Sequence, residues 1–161
     1  MIRDATEADL KRILAITNQA IAETTALWTI TPATMAVRGA WMAERTAAGF
    51  PVIVAEADGV VAGFGSYGPF RPHDGYLHTV EHSLYVDPAY QAQGHGRALL
   101  VALVARARAQ GKHVMVGGIE AGNAASLALH RAAGFSDAGT LREVGRKFDR
   151  WLDLTFMQLV L

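Results

Sequence analysis

The residues with the clearest chemical potential form one heptad, Gln91-Ala92-Gln93-Gly94-His95-Gly96-Arg97. A strand-like run, Thr79-Val80-Glu81-His82-Ser83-Leu84-Tyr85-Val86, precedes it, and a strongly apolar helical segment, Ala98 to Gln110, follows. The first turn of a helix carries backbone N–H groups with no partner inside the helix. The aligned peptide dipoles put partial positive charge at the same end. Two glycines one residue apart let a ligand approach the backbone closely. Strand, turn, glycine-spaced loop and helix start together describe an anion site suited to phosphate. Taken alone, the heptad is equally well read as a structural turn. It is not a Walker A loop, because no Gly-Lys-Ser/Thr follows. It is not a dinucleotide fingerprint either, because that needs a third glycine and an acidic residue on the next strand.

Composition narrows the chemistry further. The chain has 161 residues, 51% hydrophobic and 19% charged, with 15 basic and 15 acidic side chains. That length suits one domain, 1–161, with a substantial core. A net charge of zero without a basic block argues against nucleic acid as a partner. No apolar run approaches the roughly 20 residues of a membrane helix, and Met1-Ile2-Arg3-Asp4 lacks a signal-peptide pattern. The expected location is the cytoplasm. There is no cysteine, which removes disulfides, thiolate metal sites and an acyl-cysteine intermediate. His73, His78, His82, His95, His113 and His130 show no ligand spacing with acidic partners, so no metal is expected.

The elements that must position the loop are readable from periodicity. Ile2-Arg3 opens a short strand. Thr6 caps a helix running from Glu7 to about Ala22, with Leu10, Ile13, Leu14 and Ile21 mostly at helical spacing. Thr31-Pro32 reads as a second helix start, carrying Met35, Trp41 and Met42 to a stop at Gly49. Val52-Ile53-Val54-Ala55 is a buried strand, and Asp58-Gly59 turns it into a partner over Val60–Tyr67. Tyr76–Val86, His113–Ile119 and Thr155–Leu161 are further strands. Asn123 opens a short helix that ends at Gly134, and Leu141–Arg150 reads as a polar loop. The order β-α-α-β-β-β-α-β-α-β predicts a mixed α/β sheet rather than a doubly wound one.

A second motif follows the heptad by about 30 residues: Asn123-x-x-Ser126, then Gly134-Phe135. Gln91-x-x-Gly94-x-Gly96 after a strand, joined to this second motif, resembles the GNAT family of N-acetyltransferases along the whole chain. Thr79-Val80-Glu81-His82-Ser83, Gly122-Asn123-Ala124-Ala125-Ser126 and Lys147-Phe148…Trp151-Leu152-Asp153-Leu154-Thr155-Phe156-Met157 are similar to the phosphinothricin and methionine sulfoximine branch. The resemblance implies a mostly antiparallel twisted sheet flanked by helices, with one splayed parallel strand pair. It also implies a homodimer and acetyl-CoA as co-substrate. The expected reaction is acetylation of the α-amine of a glutamate-like amino acid by direct transfer in a ternary complex. Alternatives are another amine, such as a peptide N-terminus or polyamine, or a non-catalytic acyl-CoA-binding module.

The site residues follow from the same resemblance. Leu84, Tyr85 and Val86 would pair with pantetheine. Gln91, Ala92, Gln93, Gly94, His95, Gly96 and Arg97 would hold pyrophosphate, with Asn123 and Ser126 as further contacts. The pleat puts Thr79, Glu81, Ser83 and Tyr85 on one face and Val80, His82, Leu84 and Val86 on the other, unless a bulge intervenes. Glu81 is then the candidate base for the acceptor ammonium, or a residue that binds it or pairs with an arginine. His82, on the apolar face, reads as a core histidine. His130, two helical turns after Asn123, stands where many relatives carry a tyrosine acid, so it either protonates the leaving thiolate or binds cofactor. Arg71 offers a carboxylate fork. Trp28, Thr79 and Lys147 complete the candidate substrate contacts, Lys147 from a loop that would reach the neighbouring subunit.

Overall fold

The computed structural model describes residues 1–161, and it is built on one seven-stranded sheet. The strands are β1 (Ile2–Asp4), β2 (Val52–Ala57), β3 (Val60–Pro69), β4 (Thr79–Val86), β5 (Val114–Glu120), β6 (Ser136–Lys147) and β7 (Arg150–Val160). The helices are α1 (Leu10–Glu23), α2 (Met35–Ala47), α3 (His95–Ala109) and α4 (Ala124–Ala132). Sheet order is β1-β2-β3-β4-β5-β7-β6. Every neighbouring pair is antiparallel except β4–β5. No helix is long and apolar enough to cross a membrane.

Both faces of the sheet centre are covered, which is why Val52-Ile53-Val54-Ala55 reads as a continuous apolar run rather than an alternating one. Val52 and Val54 pack with Ile13, Ile16, Val61 and Phe64 beneath α1. Ile53 and Ala55 pack on the opposite face with Leu99, Leu100 and Leu103 of α3 and with Met115 and Met157. The β3–β4 ladder runs from Gly63↔Val86 to Pro69↔Val80 without a register shift, so the expected alternation along β4 holds. Val80 and His82 are buried, whereas Glu81 and Ser83 are exposed on the α1–α2 side.

The sheet has one strand more than the six read from the sequence, and several boundaries differ, two of them with a clear cause. The second helix starts after Thr34, not at Thr31-Pro32; the Thr34 hydroxyl accepts from the Val37 N–H at 3.2 Å. Asn18 explains the delay: its amide accepts from the Ala33 N–H and donates to the Ala33 carbonyl, holding the segment before Thr34 extended. The second difference is larger. Residues 141–150 are not a polar loop but the end of β6, the Phe148-Asp149 turn, where both φ values are positive, and the first residue of β7. β6 is an edge strand exposed almost throughout, with register shifts between Asp137 and Gly139 and between Leu141 and Gly145. An exposed, bulged edge has no period-2 apolar pattern to read.

The first turn of the chain is fixed by charge. The Asp9 carboxylate accepts from both Arg3 Nη atoms, at 2.7 and 2.9 Å, and from the Thr6 N–H at 2.7 Å. These contacts, Arg3 first, pull Asp9 from 3.8 down to about 2. A depressed carboxylate stabilises the fold fully above its unfolded pKa, and that contribution is lost as pH falls through about 2. Asp9→Asn is expected to cost on the order of 2 kcal/mol near neutral pH in urea titrations, with the difference from wild type closing in acid. A neutral-pH difference below about 0.5 kcal/mol would contradict this account of the N-terminus.

Candidate active site

β4 and β5 run side by side only from Thr79↔Val114 to His82↔Gly117. Beyond that point they diverge, and the β5-facing backbone of Ser83–Val86 has no partner strand. An open cleft of about 410 Å³ occupies the divergence. Leu84, Tyr85 and Val86 line one wall, and Gln91, Ala92, His95, Gly96, Asn123 and Ser126 line the far end. The geometry therefore gathers most of the predicted cofactor residues around one space. Gln93, Gly94 and Arg97 are exposed and stand outside the lining.

The loop's conformation suits an anion. Gly94 is the N-cap of α3 at φ +87°, and no side chain caps that helix end. The free N–H groups of the first turn thus remain available. A Cβ on Gly96 would meet only ordinary contacts, Leu129 at 3.5 Å and Val86 at 3.8 Å. The value of Gly96 is therefore the open approach it leaves, not relief of a clash. Gln91 donates to the Val86 carbonyl at 3.2 Å, tying the loop to the end of β4. Asn123 is a true N-cap, accepting from the Ser126 N–H at 3.1 Å.

Glu81 lies on β4 just before the divergence. Desolvation pushes its carboxyl above the ordinary range, and Arg71 then Arg45 oppose that shift by attraction. No hydrogen bond holds the carboxylate, so it is free to receive a proton. Glu120, a second carboxylate near the cleft that the sequence did not single out, is committed instead. It accepts from the Gly122 N–H at 2.9 Å and from the Thr25 hydroxyl at 3.4 Å.

His82 and His130 are both buried and face each other, with Nε2 atoms 2.9 Å apart. His82 Nδ1 lies 2.9 Å from the Val116 carbonyl oxygen, and His130 Nδ1 lies 2.7 Å from that of Ser126. A carbonyl only accepts, so an Nδ1 that carries a hydrogen donates it there. With one hydrogen per neutral ring, one Nε2 donates to the other, the tautomers setting which, and the two rings titrate as a coupled pair. Burial, followed by the neighbouring imidazole, holds His82 down at about 3, so the pair does not carry two charges. Burial also lowers His130. His82 is thus the satisfied core histidine expected from its face. A Cβ on Gly117 would sit 2.7 Å from His82 Cε1, so only glycine lets this ring cross β5.

The predicted substrate residues divide. Thr79 shares the Glu81 face, and Arg71 stands exposed beside it with its guanidinium carbon 4.9 Å from the Phe70 ring. Trp28 lies against the backbone of Gly145 and donates its indole N–H to the Thr25 carbonyl at 2.8 Å. Lys147 departs from expectation. It ends a strand instead of sitting in a loop, its side chain is buried, and its ammonium donates to the carbonyls of Thr24 and Leu27 at 2.6 Å each. It anchors the segment carrying Trp28 and does not project outward. Lys147→Met is expected to leave both carbonyls unpaired, cost about 2–4 kcal/mol, and expose the 24–28 segment to faster amide exchange. A loss under about 0.5 kcal/mol with unchanged exchange would contradict that role.

Sequence reasoning missed Ile16, Gln19, Ala20 and Thr24, which supply the other wall of the cleft from α1 and the turn after it. Their spacing of three and four residues was the available signal, but helical spacing alone does not distinguish a core face from a ligand face. No group of three or more His, Asp or Glu side chains is arranged to hold a metal ion.

Known proteins show the same arrangement. A family model described as Acetyltransferase (GNAT) family matches residues 13–135. An L-methionine sulfoximine/L-methionine sulfone acetyltransferase of Pseudomonas paraeruginosa is 55% identical over 159 residues, covering 98% of this chain and 92% of that protein. The crystal structure of a ribosomal-protein-alanine N-acetyltransferase from Brucella melitensis superposes with a TM-score of 0.98 at 52% identity, covering 100% and 99% of the two chains. A phosphinothricin acetyltransferase from Sinorhizobium meliloti, solved in complex with acetyl-CoA, superposes with a TM-score of 0.98 at 36% identity over 100% and 88%. With a splayed parallel pair, a glycine-spaced loop at a helix start and a family match across most of its length, the chain belongs to the acetyltransferase (GNAT) family.

Proposed function

We propose that this chain, a single domain over 1–161, transfers acetyl from acetyl-CoA to the α-amine of a small glutamate-like L-amino acid. Methionine sulfoximine, methionine sulfone and phosphinothricin are the acceptors favoured by the named relatives and by the sequence motifs. The observation that carries the reading is the position of Glu81: an unbonded carboxylate on the strand whose continuation, Leu84–Val86, opens onto the cleft.

Each residue then has a task. The Leu84-Tyr85-Val86 stretch presents its β5-facing backbone edge to the pantetheine amides. The backbone from Gln91 to Arg97 holds the pyrophosphate, with Asn123 and Ser126 closing the far side. Arg71 orients the acceptor carboxylate, Thr79 and Trp28 shape its pocket, and Lys147 keeps Trp28 in place. Glu81 takes a proton from the acceptor ammonium. The amine nitrogen then bonds to the acetyl carbon as the carbon–sulfur bond breaks. The thiolate needs a proton, and the His82–His130 pair, through His130, is its source. No metal takes part in this scheme.

The chain acts as a homodimer in this reading. The β6–β7 hairpin leaves Leu141, Val144, Phe148 and Trp151 exposed, an apolar surface of the kind a second copy covers. Nucleic acid and membrane are not partners, and the cytoplasm is the working compartment. A second reading, acetylation of a protein N-terminus, is favoured by the name of the Brucella melitensis relative alone.

Initial velocities with acetyl-CoA and methionine sulfoximine test the mechanism. Intersecting double-reciprocal lines are expected, because direct transfer needs both substrates bound together and no cysteine is present to carry acetyl. Parallel lines or an isolable acetyl-enzyme would overturn direct transfer.

A further inference from the structure

Two arginines on α2 form no ion pair. Arg38 and Arg45 are seven residues apart, two helical turns, and so share a face. Trp41 and Met42, between them, pack against the cluster that contains Phe64. That places the arginine face over the β3–β4 ladder on the side where Glu81 points. The contact is close: the Arg45 guanidinium occupies the space a Cβ at residue 68 would fill, so a larger residue there would displace it. Gly68 is the cross-strand partner of Glu81. Arg38 sits further along, with its guanidinium carbon 4.4 Å from the Trp41 ring centroid and Tyr85 among its electrostatic neighbours.

Neither guanidinium enters any of the chain's ion pairs. Arg38 Nε is buried with no hydrogen-bond partner at all. Both side chains are half-buried, and desolvation is the leading influence on each. Partly buried guanidiniums without an ion pair cost stability. Arg38 has no carboxylate neighbour, and Arg45 shares Glu81 with Arg71, so the positive charge left uncompensated beside Glu81 points to a counter-group that arrives with the substrate. Arg71 does not make Arg45 redundant. It reaches Glu81 from the loop after β3, whereas Arg45 reaches it from α2, and both act on its carboxylate. An amino acid with its amine at Glu81 presents a carboxylate one carbon away and, a few bonds further, the polar end of its side chain.

Resting on the acceptor class given above, we propose that Arg45, braced by Arg38, is a specificity-determining residue of the acceptor pocket. It binds the oxygen-bearing far end of the acceptor side chain, a sulfonyl, sulfoximine or phosphinate group, while Arg71 takes the α-carboxylate. A planar guanidinium suits paired oxygens on one sulfur or phosphorus as it suits a carboxylate.

The test compares methionine sulfone with methionine, which has the same chain length but no side-chain oxygen. Arg45→Gln should lower the ratio of kcat/KM for methionine sulfone to that for methionine about tenfold or more, chiefly through KM for the sulfone. Arg71→Gln should lower both alike. Arg45→Lys, which keeps the charge without the fork, should lie between wild type and Arg45→Gln. Acetyl-CoA affinity, measured by calorimetry, should match wild type in all three variants and so reports on folding. Equal losses for the two amino acids in both Arg45 variants, or an unchanged ratio, would overturn the assignment of Arg45 alone. A wild-type enzyme that acetylates neither amino acid would overturn the acceptor class and the Arg45 proposal with it, and the wild-type arm shows this without any variant.

Discussion

Glu81→Gln lowers kcat by about 100-fold or more while acetyl-CoA binds within about twofold of wild type. General-base groups typically contribute in that range, and a glutamine keeps the shape of the side chain. The α-amine of an amino acid is mostly protonated near neutral pH, so it cannot attack until a base removes a proton. Glu81 is suited to this by what it lacks. Glu120 is tied to a backbone N–H and a hydroxyl, but Glu81 has no such partner. Desolvation raises its pKa, which makes it a better base than an ordinary carboxylate, and Arg71 and Arg45 limit the rise. The direction of the shift sets the pH profile. Glu81 must be ionised to act, so kcat/KM falls as pH drops through its raised pKa, above the ordinary 4.5. That acidic limb disappears in Glu81→Gln. An unchanged kcat, or a limb that survives the substitution, removes Glu81 as the base.

Gly94→Val weakens acetyl-CoA binding by about 10- to 100-fold. Gly94 caps α3 at φ +87°, a conformation that a β-branched residue adopts only at a cost of about 1–3 kcal/mol. Relief of that strain swings the loop and misdirects the first N–H groups of α3, the groups proposed to hold the pyrophosphate. Gly59, at φ +78° in the β2–β3 turn, is the control. Gly59→Val carries comparable backbone strain away from the cleft, so it costs stability but leaves acetyl-CoA affinity unchanged. If both variants bind acetyl-CoA as wild type does, the loop is a structural turn and no more. If both lose affinity together, the effect is global destabilisation.

The loop and the strand before it were legible because chain chemistry and chain geometry coincide there. Gln91, Gly94 and Gly96 sit next to one another in sequence, and the pleat of β4 separates Glu81 from His82 by simple alternation. The α1 wall of the cleft was not legible: Ile16, Gln19 and Ala20 lie more than 60 residues before the loop, and only the tertiary fold joins them. Lys147 shows the same limit. Its sequence neighbours Arg146 and Phe148 are outward-facing and apolar-exposed features of a hairpin end, yet its own ammonium is buried against Thr24 and Leu27. Arg45 was invisible for a related reason. A charge on an amphipathic helix reads as solvated surface until Gly68 is found beneath it. The His82–His130 contact required two elements 48 residues apart to meet, although His82 had announced its burial through its face on β4.

The most direct test of the central claim is the ratio of kcat/KM for methionine sulfoximine to that for an N-terminal alanine peptide, with acetyl-CoA saturating and the N-acetyl product identified by mass spectrometry. The account predicts a ratio of at least about 100, because a glutamate-like acceptor engages Glu81, Arg71 and Arg45 together, whereas the peptide offers only its amine. A ratio below one, or tight acetyl-CoA binding with no N-acetyl product from either acceptor, would contradict it.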